Sequence, residues 1–260
     1  MGQAVSLPPT GSASYETDES VSRYLLRYWG GADDIWPPEY SAQFPKPEAP
    51  DLAARYVDLI LKYSSGTGRA IDIGCAAGRA SFELARTYEE VVGIDYSHAL
   101  INAANILKEQ GEMAYSVKQS GSDFKDLKAV IDPVIDRSRV SFEQGDGSAI
   151  PDHYQGFDAV LFGNVLCRLP DPQVGLERMQ AASNALVKPG GTLLISSPFS
   201  WLEAYTPREK WIETGKEGLQ EILNDFELLH SEDVPMFFRE HARKFEYVVP
   251  LITVWKRKGG

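Results

Sequence analysis

Residues Arg69-Ala-Ile-Asp-Ile-Gly-Cys-Ala-Ala-Gly78 join a short apolar strand to the start of a helix through glycines. Gly74 and Gly78 let backbone approach a ligand closely, and the helix expected over Arg79–Tyr88 points its N-terminus at the same place. The next apolar strand ends in a lone acid, Asp95, roughly 20 residues on, where a carboxylate can hold two ribose hydroxyls. The pairing suggests a nucleoside pocket, although a glycine turn by itself also serves merely to pack helix on sheet.

The segments that follow extend the pattern. Arg139-Val-Ser-Phe-Glu-Gln-Gly-Asp-Gly147 reads as a third strand ending in Gly-Asp-Gly, and Phe157-Asp-Ala-Val-Leu-Phe-Gly-Asn-Val165 as a fourth with a polar end. In an open parallel sheet ligands bind at the carboxyl ends of the strands, so Asp72, Asp95, Asp146 and Asn164 are expected to converge on one crevice. Strands at Ala70–Gly74, Val91–Tyr96, Val140–Gln144, Ala159–Asn164 and Thr192–Ser197 alternate with helices at Asp51–Tyr63, Arg79–Tyr88, His98–Glu109 and Pro172–Leu186. Asp51 serves as N-cap of the first helix. This alternation predicts a parallel sheet with right-handed crossovers. After a helix near Lys216–Leu223, the segments Phe226–Leu229 and Phe245–Trp255 are predicted to pair as an antiparallel hairpin. Residues 110–138 interrupt the order as an insertion with a short helix from Asp126 to Ile135; it either covers the pocket or lengthens a connection.

At 260 residues, 43% of them hydrophobic, the chain is long enough for one substantial α/β domain, expected over 21–257. Residues 1–20, rich in Ser, Gly, Pro and Thr, are expected to form a disordered leader. Residues 21–50 carry Tyr24, Tyr28, Trp29, Trp36, Tyr40 and Phe44, too many aromatics for a solvated linker, and read as an entry or lid segment. The formal charge of −11 repels phosphate polymers and argues against a nucleic-acid partner. Cys75 and Cys167 are too few for a disulfide framework and lack zinc-ligand spacing, so no metal is expected. Without a run of about 18 apolar residues or a signal peptide, no membrane partner is expected and a cytoplasmic enzyme fits best.

Ile71-Asp-Ile-Gly-Cys-Ala-Ala-Gly78, Asp95, Gln144-Gly-Asp-Gly147, Phe157-Asp-Ala-Val160 and Leu186-Val-Lys-Pro-Gly-Gly-Thr-Leu193 resemble, in order, the motifs of class I S-adenosylmethionine-dependent methyltransferases. The resemblance spans roughly residues 50–257. It implies a Rossmann-like α/β fold: a seven-stranded, mostly parallel sheet with a C-terminal antiparallel hairpin and helices on both faces. It also implies S-adenosylmethionine as cofactor, with S-adenosylhomocysteine as product. By the same resemblance Gly74 to Gly78 line the methionine and ribose portions, Asp95 binds the ribose and Asp146 meets the adenine amino group. The cofactor set is then Asp72, Gly74, Cys75, Ala76, Gly78, Asp95, Tyr96, Asp146, Gly147 and Asn164. Cys75 and the paired alanines depart from the commoner glycine-rich turn.

Nearer the chain's end, Asn164-Val-Leu-Cys-Arg-Leu169 and Arg239-Glu-His-Ala-Arg-Lys-Phe245, with the aromatic entry segment and the insertion, resemble a narrower family. It comprises the methyltransferases of ovothiol biosynthesis, found in many organisms as the C-terminal domain of the iron-dependent 5-histidylcysteine sulfoxide synthase. That resemblance implies methylation of the imidazole π nitrogen of 5-thiohistidine (4-mercaptohistidine), with an iron-dependent sulfoxide synthase module as partner.

A small zwitterion needs a cation for its carboxylate, an anion or carbonyl for its ammonium group and aromatic walls for its ring. The candidates are Arg168, Arg239 and Arg243 for the carboxylate, Glu240 or Glu203 for the ammonium, Tyr28, Trp29, Tyr205 and Phe245 for the walls, and Asn164 beside them. The rival reading of each arginine is a surface ion pair, and of each aromatic, core. His241 is a candidate base, but none is obligatory, since positioning alone can supply about 7–11 kcal/mol of barrier lowering. Two alternatives stay open: a methyltransferase for another small amine, thiol or carboxylate, and a non-catalytic nucleoside-binding module.

Overall fold

The computed structural model describes residues 12–213 and 215–259. Its central strands carry nearly unbroken apolar runs because helices cover both faces. These are β1 (Arg69–Ile73), β2 (Glu90–Asp95) and β6 (Phe157–Gly163), each buried along almost its whole length. With β5 (Val140–Gln144) and β7 (Val187–Ser197) they pair in parallel. The strand β11 (Leu251–Arg257) runs antiparallel to both β7 and β8 (Phe226–Asp233) and completes a seven-stranded sheet of order β5-β2-β1-β6-β7-β11-β8. This is the expected Rossmann-like arrangement. The strand order turns back between β1 and β6, which opens a crevice at their carboxyl ends.

The alternation of side chains along the strands divides the apolar residues between two cores. Ala70, Val91, Ala159 and Leu194 join the core that holds α1 (Asp18–Trp29), α4 (Leu52–Tyr63), α5 (Arg79–Leu84) and α6 (His98–Gln110). Their neighbours Ile71, Val92, Val160 and Leu193 join the core under α7 (Pro172–Glu177) and α8 (Lys216–Ile222). Two single turns, α2 (Ala32–Ile35) and α3 (Pro38–Ser41), lie between α1 and α4. Asp51 caps α4 by accepting from the Ala54 amide at 3.1 Å.

Four expectations need correction. Of the leader, residues 1–11 lie outside the described residues, but 12–20 are ordered: Ser12–Glu16 forms a 3-10 turn and α1 begins at Asp18. Tertiary contacts order it. The Glu16 carboxylate accepts from the His98 and Ala99 amides at the start of α6, at 3.1 and 3.0 Å, and Ser97 Oγ donates to the Tyr15 carbonyl.

The insertion holds no helix from Asp126 to Ile135. It is a hairpin of β3 (Glu112–Ser120) and β4 (Asp123–Val130) turning at Gly121, in which Tyr115, Val117 and Ala129 point into the core and most other side chains point to water.

Two helices are shorter than read. α5 tightens after Leu84, where the Arg86 and Thr87 amides bond three residues back, and after α7 the carbonyls of Arg178 and Met179 accept from Leu186 and Val187 to start β7.

At the C-terminal end, β8 does pair antiparallel with the chain's last strand. The run Phe245–Trp255 is nevertheless broken at Pro250, which has no amide to donate, and a second hairpin intervenes, β9 (Met236–His241) with β10 (Lys244–Val248). The two hairpins meet where the Ala242 amide donates to the Gln119 carbonyl at 3.1 Å. Among the described residues no helix is long and apolar enough to cross a membrane, and no group of His, Cys, Asp and Glu is arranged to hold a metal ion.

Candidate functional site

At the crevice lies a cavity walled by the carboxyl ends of β1, β2, β5 and β6, with α1 and the Ser12–Glu16 turn over it. The turn after β1 is built from positive φ angles at Gly74 (78°), Ala76 (50°) and Gly78 (87°). At Gly74 a Cβ would lie 2.8 Å from Cβ of Val165, so only glycine lets these segments meet. Asp95, at the end of β2, accepts from the Ala76 amide at 2.8 Å and the Ser97 amide at 2.9 Å, which aims its carboxylate along the cavity wall. Burial pushes its pKa up, and these backbone donors pull partly against that. Asp146 accepts from the Ser148 amide at 2.8 Å and joins the wall beside Gly145 and Gly147.

Asn164 follows β6 with a φ of 59°, a conformation asparagine tolerates better than most residues. A ring of hydrogen bonds holds it: Tyr56 Oη donates to Ser196 Oγ (2.8 Å), Ser196 Oγ to Asn164 Oδ1 (3.0 Å), and Asn164 Nδ2 back to Tyr56 Oη (2.8 Å). Across the cavity Tyr15, Tyr24 and Tyr28 form a run of rings with centroids 6.1 and 6.4 Å apart, and Tyr205 stands 6.3 Å from Tyr15. Burial, and then Tyr205, push the Tyr15 phenol up to about 12, so it stays neutral. The guanidinium of Arg168 lies 5.0 Å over the Tyr205 ring and donates to the carbonyls of Cys167 (2.9 Å) and Ser200 (2.8 Å). Past Tyr15, Tyr24, Arg27, Asn164 and Arg168 the cavity passes into a groove bounded by β9 and β10.

Of the expected cofactor residues, Gly74, Ala76, Asp95, Tyr96, Asp146, Gly147 and Asn164 line the cavity. The other three lie behind the wall. Asp72 is 2% exposed and accepts from Ser81 Oγ at 2.7 Å, Cys75 is buried in the core, and Gly78 caps α5 against Phe142. Burial raises the Asp72 pKa to about 7, with the Ser81 hydrogen bond opposing and Asp95 reinforcing. The native state therefore binds more protons than the unfolded chain between about pH 4 and 7, so this group's contribution to stability falls as pH rises through that window. Asp72→Asn is expected to flatten the loss of melting temperature between pH 5 and 8; an unchanged pH profile would mean Asp72 does not titrate there.

Of the expected acceptor residues, Tyr28, Asn164, Arg168 and Tyr205 reach the wall. The rest are used elsewhere. Trp29 borders a separate hollow with Arg79 and Phe82. Arg239 donates to the Asp34 carbonyl and to Gln119 Oε1, tying the two hairpins to α2. Glu240 pairs with Lys244 at 2.7 Å, and Phe245 stacks on Phe237 with centroids 5.2 Å apart. His241 accepts from the Arg243 amide at the tip of the hairpin, away from the cavity; Glu203 and Arg243 are exposed. Sequence reading missed Tyr15, Tyr24, Arg27 and Ser97 as lining residues. The one available signal was Tyr24 and Tyr28, four apart on one helix face with Arg27 beside them.

The family model described as "Methyltransferase domain" matches residues 46–244, and the chain belongs to that family. It is an S-adenosylmethionine-dependent methyltransferase. The cavity fits that cofactor: a half-buried carboxylate closes the β2 end, and Gly74 presents bare backbone where the β1 turn meets the cavity. The ubiquinone biosynthesis O-methyltransferase of Coxiella burnetii is 27% identical over 135 residues, 52% of this chain and 45% of that protein. The chain thus matches less than half the length of the curated relatives. Among solved structures, the 4+2 cyclase SpnF superposes with a TM-score of 0.58 at 17% identity, covering 97% of this chain and 96% of that one. The N-methyltransferase NodS from Bradyrhizobium japonicum does so with 0.53 at 15% identity, covering 80% and 95%. At these identities the likeness is one of fold.

Proposed function

We propose that the acceptor is 5-thiohistidine and that the enzyme methylates its imidazole π nitrogen, giving ovothiol A and S-adenosylhomocysteine. The observation that carries this reading is the junction of cavity and groove, where Arg168 and Asn164 stand with Tyr15, Tyr24, Tyr28 and Tyr205. A cation with aromatic walls suits a small ring that bears a carboxylate. The motif Asn164–Leu169 on which the narrower resemblance rests supplies two of these residues. Glu246, which lines the groove, replaces Glu240 and Glu203 as the acid for the ammonium group.

In this reading Asp95 holds the ribose hydroxyls, Asp146 meets the adenine and the Gly74–Ala76 turn borders the methionine portion. When bound, S-adenosylmethionine supplies an electrophilic methyl carbon, whose bond to sulfur breaks with the electron pair staying on sulfur. The acceptor's ring nitrogen forms the new bond with its lone pair, and the proton of the ring passes to bulk water once the product leaves the site. The protein's part is to hold the ring in line and exclude water through the tyrosine wall, with no base required. His241→Ala is accordingly expected to keep turnover within about tenfold, and a loss above about 10⁴-fold in a folded variant would overturn that. We assign an iron-dependent sulfoxide synthase module as a partner of the enzyme.

Mass spectrometry of a reaction with S-adenosylmethionine and either 5-thiohistidine or histidine tests the reading. One methyl gained by 5-thiohistidine only, mapped by NMR to the π nitrogen, supports it. No methylated thiol-imidazole despite cofactor binding sinks it, and methylation of an oxygen acceptor would turn the assignment towards the chemistry named for the Coxiella burnetii relative.

A further inference from the structure

Two guanidinium groups, those of Arg27 and Arg168, line both the cofactor cavity and the adjoining groove. Among the described residues neither forms an ion pair with a carboxylate, whereas Arg23, further along the groove, pairs with Glu240 at 3.6 Å. In a chain with 37 acidic and 26 basic residues, an arginine at a cavity wall without an acid is a charge left over for a ligand.

The two are not equivalent. Arg27 is covered: its Cζ lies 3.8 Å from the Phe238 ring centroid and 4.7 Å from that of Tyr28, and Nη2 donates to the Met236 sulfur at 3.0 Å. Arg168 is fixed by neutral groups alone in its hydrogen bonds, the carbonyls of Cys167 and Ser200 and the Cys167 sulfur on Nη1 and the Tyr15 side chain, with its plane resting on Tyr205. It stands where the chain leaves β6, against Ser200 beyond β7, at the junction of cavity and groove. A bound cofactor adds net positive charge through its sulfonium and ammonium groups. An acceptor that brings a negative group to this wall is favoured over one that does not.

We propose that Arg168 is the specificity-determining residue of this enzyme: its guanidinium binds the acceptor's carboxylate and restricts turnover to acceptors that carry one. The proposal rests on the amino-acid acceptor of the preceding reading. It is tested with the full chain and its Arg168→Met and Arg168→Lys variants, by calorimetric titration of S-adenosylmethionine and by steady-state kinetics on 5-thiohistidine and on its decarboxylated counterpart.

Arg168→Met is expected to raise KM for 5-thiohistidine by about 10–100-fold, the worth of a hydrogen bond to a charged group. The cofactor Kd should stay within about twofold, Arg168→Lys should recover part of the loss, and the decarboxylated acceptor should be turned over equally poorly by wild type and Arg168→Met. An equal loss on both acceptors makes Arg168 merely structural and overturns the proposal, as does a parallel rise in cofactor Kd, which would give Arg168 to the cofactor's own carboxylate. If wild type methylates no thiol-imidazole, the acceptor reading falls separately. The proposal is then decided on whichever acceptor wild type does turn over: one without a carboxylate overturns it, and one with a carboxylate is compared with its decarboxylated form in the same way.

Discussion

Asp95→Ala is expected to weaken S-adenosylmethionine binding by about 1–3 kcal/mol, roughly 5–150-fold in Kd, with the loss read by calorimetric titration. Two effects add. The substitution removes a half-buried acceptor that faces the cavity, and it frees the amides of Ala76 and Ser97, which that carboxylate gathers at 2.8 and 2.9 Å. Asp95→Asn separates them. Its amide can accept from only one of the two backbone donors and carries no charge, so it should fall between wild type and alanine. Unchanged affinity in both variants would remove Asp95 from the cofactor site.

Gly78→Ala should instead cost stability, about 2–4 kcal/mol by denaturant titration of the cofactor-free protein. The φ of 87° there penalises any side chain by about 1 kcal/mol or more. A Cβ would in addition sit 2.5 Å from Cζ and 2.7 Å from Cε1 of Phe142, an aromatic ring wedged against Phe82 that has little room to retreat, adding about 1–3 kcal/mol of overpacking. Phe142→Leu in the same chain should return part of the second contribution and none of the first. A loss below about 1 kcal/mol would mean that the turn and the ring both yield. Because Gly78 stands behind the cavity wall, the fraction that stays folded should keep its cofactor affinity, which sets this glycine apart from Asp95.

The contrast between those two positions marks what the sequence makes legible. Asp95 and the Gly-Asp-Gly after β5 are readable because a strand's apolar run stops at them, and the end of a parallel strand is where a ligand sits. Gly78 reads the same way in the string of letters, yet its positive φ serves helix-to-strand packing, a distinction that only the position of Phe142 makes.

The β3–β4 hairpin was hidden for a different reason. Most of its side chains face water, so its alternation rests on a few residues such as Tyr115 and Val117, and its strands find each other through Gly121 rather than through a run of apolar residues. The leader from 12 to 20 reads as polar filler because what orders it lies 82 residues away, at the start of α6. The acceptor residues in Arg239–Phe245 were misplaced because charge and aromatic content announce a site only if the hairpin turns them inward. Here Arg239 and Phe245 clamp the hairpin to its neighbours instead.

The pairing of α1 with the β9 hairpin also bears on how the molecule comes into being. Arg27 and Met236 touch at 3.0 Å although 209 residues separate them along the chain. A ribosome releases the helix about two hundred residues before its partner. The strands that carry the ribose-side wall, β1, β2, β5 and β6, are all available before that moment, so the nascent protein can acquire its nucleoside half while α1 still lacks the surface it must settle on. The groove, which needs both α1 and the β9–β10 hairpin, forms only after the nucleoside half of the site can already exist.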